Sequence, residues 1–258
     1  TAQVFAPGMV SLNGRHEYGI SFSPALDEVY FSTQKLDDVA AIYTSRVERG
    51  IWQPIEKLNL TNSAKAGEMH PFVSRHGQTL YFTAYNADFT DTKIWQVSRE
   101  INGWGGGKKL VSPINDEEVF YSTLADNGDL FYSDIYKSKT FYSPIKNGEY
   151  SEIFEVPIAF GLHPFISAER DYLLVDAVAK DKQRKDKDIY VYFKQKDGSW
   201  TDAINLGEAV NSPFYETVPS VTPDGKYLFF SRYDEEGGEI SNLYWISTQV
   251  IERLRPTK

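Results

Sequence analysis

The chain has 258 residues, 41% of them apolar and 15% aromatic, which is ample for a packed core and excludes a disordered chain. A formal charge of −9 and a pI near 5.0 exclude the clustered positive surface that nucleic acid requires. With no cysteine, thiol catalysis, disulfides and cysteine-ligated zinc are excluded, and no apolar run of about 18 residues exists to span a membrane.

Thr1 to Ser11 (TAQVFAPGMVS) reads as a lone strand and its exit, similar in pattern to Ala203 to Asn211 (AINLGEAVN). The sequence opens on Thr1 rather than Met and without a signal peptide, which suits a processed product. From residue 12 the chain repeats itself. Phe31 in EVYFS, Phe82 in TLYFT, Tyr132 in DLFYS, Val175 in YLLVD and Phe230 in YLFFS mark one series, spaced 51, 50, 43 and 55 residues apart. Tyr43, Trp95, Tyr142, Tyr190 and Tyr244 mark a second at matching intervals. Period-2 runs rich in aromatic and β-branched residues, bounded by Gly turns, predict strands in each repeat, and no helical periodicity separates them.

Four repeats continue into a further turn and one aromatic: Arg49-Gly50 before Trp52, Asn102-Gly103 before Trp104, Asn147-Gly148 before Tyr150 and Asp197-Gly198 before Trp200. Four strands per repeat of about 50 residues is propeller spacing, and a ring removes the exposed edges of an open stack. The last repeat ends WISTQVIERLRPTK, with no outer strand. The expected fold is therefore all-β, a five-bladed β-propeller of four-stranded antiparallel blades in one domain over 1–258. The blades span about 12–60, 61–113, 114–157, 158–210 and 211–258. The N-terminal strand 1–11 completes the last blade and closes the ring.

The pieces SPALDEVYFS, VSRHGQTLYFTA and VTPDGKYLFFSR resemble the PD40, or WD40-like, repeats of TolB-type β-propellers in exported bacterial proteins. FAPGMVS, INLGEAVNS and NLYWISTQVIERL are similar to a subgroup of these proteins of unassigned function. The chain departs from the repeat at Leu26-Asp27, His76-Gly77 and Arg170-Asp171, where Asp-Gly is usual. The resemblance implies a periplasmic or extracellular bacterial setting and a binding surface, without implying a reaction.

Short Gly turns join first to second and third to outer strands. The longer connections, such as Tyr85 to Asp91, Ala177 to Lys187 and Tyr233 to Glu239, gather on the opposite face, where binding residues concentrate. The run Lys180 to Lys187 (KDKQRKDK), interleaved with Asp, reads as a solvated loop there. Where inner strands begin, the repeats place Glu17, Glu68, Glu118, Gly161 and Glu216. Such acids can hold a cation or an amine, or act as acid and base of a hydrolase; equally, each can bond neighbouring backbone as part of the repeat. His70 and His163 recur two residues later in the second and fourth repeats, and His16 precedes Glu17. Imidazole can bind a metal or act as base, and Glu68, His70 and His163 are the metal candidates. The spacing contains no local metal motif, and the second and fourth blades of a five-membered ring are not neighbours. The channel is either open or plugged by aromatics such as Tyr18, Phe120 and Tyr121.

Gln34, Tyr85, Asn86, Asp134, Asp176, Arg232 and Tyr233 surround the centre, a mixture of aromatics, amides and acids that suits carbohydrate or a peptide segment. Gly105 to Gly107 lies in an outer strand rather than before a helix, so it is no phosphate loop, and there is no GxSxG elbow. The expected function is a monomeric binding module recognising protein or glycan. The alternative is a carbohydrate-active hydrolase or lyase using paired acids from Glu17, Glu68, Glu118 and Glu216. No cofactor is required, although a divalent cation fits the channel chemistry.

Overall fold

The computed structural model describes residues 1–101, 103–178, 186–233 and 240–256. Asn102 of one predicted turn, most of the basic run Lys180 to Lys187, and the connection beyond Tyr233 lie outside the described residues.

Strands dominate. β1 is Gln3–Val4. The first repeat forms β2 (His16–Phe22), β3 (Glu28–Gln34) and β4 (Ala41–Glu48), with β5 (Ile51–Trp52) and β6 (Glu56–Lys57) both along β4. The second forms β7 (Gly67–Val73), β8 (Thr79–Tyr85) and β9 (Lys93–Glu100), with β10 (Gly103–Trp104) and β11 (Lys108–Lys109) along β9. The third forms β12 (Val119–Leu124), β13 (Leu130–Asp134), β14 (Lys139–Ser143) and β15 (Phe154–Glu155). The fourth forms β16 (Leu162–Ile166), β17 (Tyr172–Ala177), β18 (Asp188–Phe193) and β19 (Ile204–Asn205), and the last β20 (Glu216–Val221), β21 (Tyr227–Tyr233) and β22 (Ser241–Ser247). Neighbours within each repeat are antiparallel. A 3-10 turn at Pro113–Asp116 and α1 (Gln249–Glu252) are the helical pieces among the described residues.

Every residue of β7 and nearly all of β8 is buried, because each sheet is covered by a sheet on either side. Outer strands β5, β6, β11 and β15 are exposed. Inner strands lie side by side in chain order: β2 against β7, β7 against β12, β12 against β16, β16 against β20, and β20 back against β2. Among the described residues no helix is long and apolar enough to cross a membrane.

The N-terminal segment occupies an outer-strand place. Gln3 lies opposite Trp245 and Val4 opposite Tyr244, antiparallel to β22. Phe5 N–H donates to the Leu243 carbonyl at 2.8 Å, as Leu58 does to Ile42, Leu110 to Ile94, Val156 to Thr140 and Leu206 to Ile189. A single parallel pair, His16 with Ser241, joins first and last repeats into one nine-stranded sheet. The seam has its own core, in which fully buried Val10 packs with Ile20, Phe31 and Leu243, and the Phe5 ring lies 5.0 Å from that of Phe229. Removing residues 1–11 deletes both the pairing and this packing. We expect a destabilisation of about 3 kcal/mol, measured by thermal and urea denaturation; an unchanged melting temperature would show that the segment adds nothing to the seam.

Candidate functional site at the channel mouth

Each inner strand slips register by one residue, between Tyr18 and Ser21, Met69 and Phe72, Phe120 and Thr123, Leu162 and Phe165, and Thr217 and Ser220. The residue that opens each bulge is left-handed: Gly19 (φ 57°), His70 (55°), Tyr121 (52°), His163 (48°) and Val218 (55°). Four of them donate their N–H to a side chain on the second strand of the preceding repeat. His70 bonds Ser32 Oγ at 2.8 Å, Tyr121 bonds Thr83 Oγ1 at 3.1 Å, His163 bonds Ser133 Oγ at 3.0 Å and Val218 bonds Asp176 Oδ2 at 3.0 Å. The bulge turns these side chains inward, so His70 and His163 meet with ring centroids 5.4 Å apart, each 5.3 Å from Tyr121. Separation by an intervening repeat, which argued against their meeting, is overcome because the axis is narrow. Gly19 leaves the room: a Cβ there would stand 2.9 Å from His70 Cδ2.

This register corrects one predicted equivalence. The residue two before each bulge opener is Glu17, Glu68, Val119, Gly161 or Glu216, so Glu118 stands one position outside the series. The acids bind the run-in to their strands. Glu17 Oε1 accepts from Leu12 N–H at 3.2 Å and Arg15 Nε at 2.5 Å. Glu68 accepts from Leu60 N–H, Thr61 N–H and Thr61 Oγ1 at 2.7–3.0 Å. Glu216 accepts from Ser212 N–H and Oγ and from Arg232 Nε. Glu118 accepts from Thr92 N–H at 2.6 Å. Among the described residues no three His, Asp or Glu side chains are grouped to hold a metal, and Glu68 turns away from His70 and His163 to Leu60 and Thr61. Burial pushes Glu17 up to about 7 against the pull of Arg15 and Leu12 N–H, and its Oε2 has no hydrogen-bond partner.

Above the bulges lies a pocket of about 290 Å³. It is lined by the predicted residues His16, Gln34, His70, His163 and Tyr233, together with Tyr18, Lys35, Leu36, Asp37, Lys187, Thr217 and Val218. Three of the chain's four histidines thus share one cavity. The His16 and Tyr233 rings are 5.4 Å apart, and Tyr18 donates its hydroxyl to Gln34 Oε1 at 3.2 Å. Behind His163, its Nδ1 lies 2.5 Å from Asp176 Oδ2, and Lys187 Nζ lies 3.7 Å from Asp176 Oδ1. Burial alone would raise the Asp176 carboxyl, but His163, Lys187 and Val218 N–H hold it below the usual range, so it stays ionised. Burial, with His163 beside it, holds His70 well below the usual imidazole range, so its ring is neutral at pH 7. Below, Tyr121 donates its hydroxyl to the Pro219 carbonyl at 2.5 Å, bridging third and last repeats. Beyond it a cavity of only about 20 Å³, lined by Ile20, Phe72 and Phe165, remains.

Four other candidates lie outside the pocket. Tyr85 is buried with its hydroxyl on Ala40 N–H, and Asn86 accepts from Lys65 and donates to Thr90 within its loop. Asp134 caps the turn at Lys137, and Arg232 bonds Glu216 and the Val210 carbonyl while lying over the Tyr244 ring. Lys35, Leu36, Asp37, Lys187, Thr217 and Val218 line the pocket without being site candidates from the sequence. Lys187 sat within the charged run, and the bulge register would have found Thr217 beside Val218.

No family model and no curated relative matches the chain. Solved structures do. TolB from Acinetobacter baumannii superposes with a TM-score of 0.55 at 13% identity, over 90% of this chain and 54% of that one. A gluconolactonase from Xanthomonas campestris gives 0.54 at 10% identity, over 95% and 94%. The periplasmic gluconolactonase of Pseudomonas aeruginosa gives 0.51 at 13%, over 83% and 64%. The chain spans about half the length of TolB. The likeness is one of fold, a β-propeller.

Glu17 offers a test of the site's electrostatics. The folded protein keeps its proton up to about pH 7 and the unfolded chain only to the ordinary 4.5, so the stabilisation is complete below about 4.5 and lost as pH rises through about 7. Between about pH 5 and about pH 8, wild type should lose on the order of 2 kcal/mol that Glu17→Gln, unable to ionise, retains. Parallel denaturation curves for the two proteins across that range would remove Glu17 as the source.

Proposed function

We propose that the chain is a single five-bladed propeller over 1–258, acting in the periplasm or outside the cell as a binding module for a protein or a glycan. The cyclic order of inner strands and β1 seated on β22 support the ring. One observation carries the binding centre: His16, Tyr18, His70, His163, Tyr233 and the Gln34 amide converge on a pocket at the mouth of the axis, while the repeated acids are engaged by backbone and neighbouring side chains. Aromatic faces with a few placed polar groups are what small-ligand sites use, and about 290 Å³ is enough for one terminal unit of a longer ligand.

A second reading rests on His163 and Asp176. The buried, ionised Asp176 fixes one nitrogen of His163 and leaves the other towards the pocket, the arrangement a general base needs. A carbohydrate-active hydrolase or lyase would draw on this pair rather than on paired glutamates. The fold likeness to gluconolactonases is compatible with it.

The labelled full chain, applied to mixed glycan and peptide arrays, should give hits that Gln34→Ala and Tyr233→Ala weaken at least about tenfold, or roughly 1.4 kcal/mol, at unchanged melting temperature. Ile101→Ala, fully exposed on a turn at the opposite face, should leave them intact. Hits indifferent to the pocket variants would place binding elsewhere. Products released from a hit glycan by wild type but not by His163→Gln would favour the enzyme.

A further inference from the structure

The hydrogen-bonding state of the pocket floor selects among ligand chemistries. His70 is 4% exposed, its Nδ1 is buried without a partner, and no side-chain hydrogen bond from its ring is found among the described residues. Its ring lines the pocket. Neutral imidazole carries one donor and one acceptor; Nδ1 has no accessible surface, so Nε2 is the nitrogen that a ligand in the pocket can meet, as donor or as acceptor according to the tautomer. His163 is fixed through Nδ1 to Asp176, and its Nε2 likewise has no protein partner among the described residues. The floor therefore presents two Nε2 atoms: that of neutral His163 is an acceptor, since its proton sits on Nδ1 towards Asp176, and that of His70 can take either role.

A hydroxyl group both donates and accepts, and so can give its proton to His163 Nε2 and accept from His70 Nε2–H. A carboxylate only accepts: it would leave the acceptor Nε2 of neutral His163 unpaired and would face the ionised Asp176 behind that ring. Among the described residues the charges lining or backing the pocket balance in sign, Lys35 and Lys187 against Asp37 and Asp176, so none of these groups together favours a net charge on the ligand. Half-buried Tyr18 and Tyr233 add aromatic surface to the pocket lining. Because Tyr121 bonded to Pro219 closes the axis below, a chain cannot thread through and must enter by an end.

Resting on the binding reading above, we propose that this pocket recognises the terminal residue of a neutral glycan, with ring hydroxyls on His70 and His163 and the sugar's C–H face against Tyr18 or Tyr233. The four histidines provide the assay. Three line the pocket and His76 lies on an exposed turn at the far end of the repeat, so the imidazole resonances of the full chain report the site with an internal control. Methyl α-D-mannoside, methyl β-D-glucoside and methyl β-D-galactoside are titrated against sodium acetate and the dipeptide glycyl-alanine.

The expected result is a saturable shift of His70 and His163 by at least one glycoside, with His76 unmoved and acetate without effect. His70→Leu should weaken that response at least tenfold. Should this variant fail to fold, Tyr233→Ala at the rim gives the same reading. Shifts produced by acetate or the dipeptide but by no glycoside would overturn the hydroxyl assignment while leaving the pocket as a binding site for a charged peptide end. Silence of His70 and His163 towards every probe would overturn both.

Discussion

The structure turns on one repeated hydrogen bond: the N–H of a left-handed bulge residue on one inner strand, given to a buried side chain on the second strand of the repeat before it. Ser32, Thr83, Ser133 and Asp176 are the acceptors, and all four are buried. At the closing seam the last repeat reaches the first differently, through Ser231 Oγ on the Glu17 carbonyl and Ser220 Oγ on that of Ile20. A left-handed conformation costs a non-glycine residue roughly 1–2 kcal/mol, and more than usual discomfort for β-branched Val218. A buried hydrogen bond contributes about 1 kcal/mol, so the clasp alone does not offset the strain; packing of each sheet on its neighbours must do the rest. What the strain secures is direction. The bulge aims one side chain per repeat at the axis, and the chemistry of the channel is then decided by which residues occupy those positions: Gly, His, Tyr, His and Val.

That logic separates scaffold from site better than position on a loop does. Residues that follow the repeat serve it: Glu17, Glu68 and Glu216 each hold the run-in to an inner strand. Residues that break it carry the unusual chemistry. Where the other repeats place Ser or Thr as acceptor, the fourth places Asp176, which takes the Val218 N–H and in addition fixes His163. A hydroxyl at 176 would suffice for the fold. The carboxylate goes beyond that need, and its excess is spent on orienting an imidazole.

The strands, the repeat and the place of the N-terminal segment were legible because each rests on local pattern: alternation, turn residues and recurring aromatics. Even the degraded turns keep the geometry, with Leu26 and Arg170 left-handed near 60° where Gly225 does the same freely. Site assignment was legible only in part. His16, His70 and His163 came from repeat position and meet in the pocket; of the residues that came from proximity to a loop, Gln34 and Tyr233 join them there, whereas Tyr85, Asn86, Asp134 and Arg232 are engaged in local bonds. Glu118 misled because two adjacent acids, Glu117 and Glu118, follow the 3-10 turn, and only the bulge shows that Val119 is the equivalent residue. The contact between His70 and His163 was invisible to a count of intervening repeats, since it depends on the width of the axis.

The acidity of the whole chain says little about this pocket. A charge of −9 spread over the surface repels anions at long range, but over distances beyond about 8 Å it is screened at physiological salt. At the pocket the local groups govern, and there, among the described residues, Lys35 and Lys187 answer Asp37 and the Asp176 behind His163. Selectivity at such a site comes from matching donors and acceptors in a closed space, because an imidazole nitrogen left unpaired by the wrong ligand keeps its full desolvation penalty. The rigid bulge clasp makes that penalty unavoidable: His70 is fixed by its own backbone N–H on Ser32 and by Gly19 against its ring, so it cannot turn away to find water.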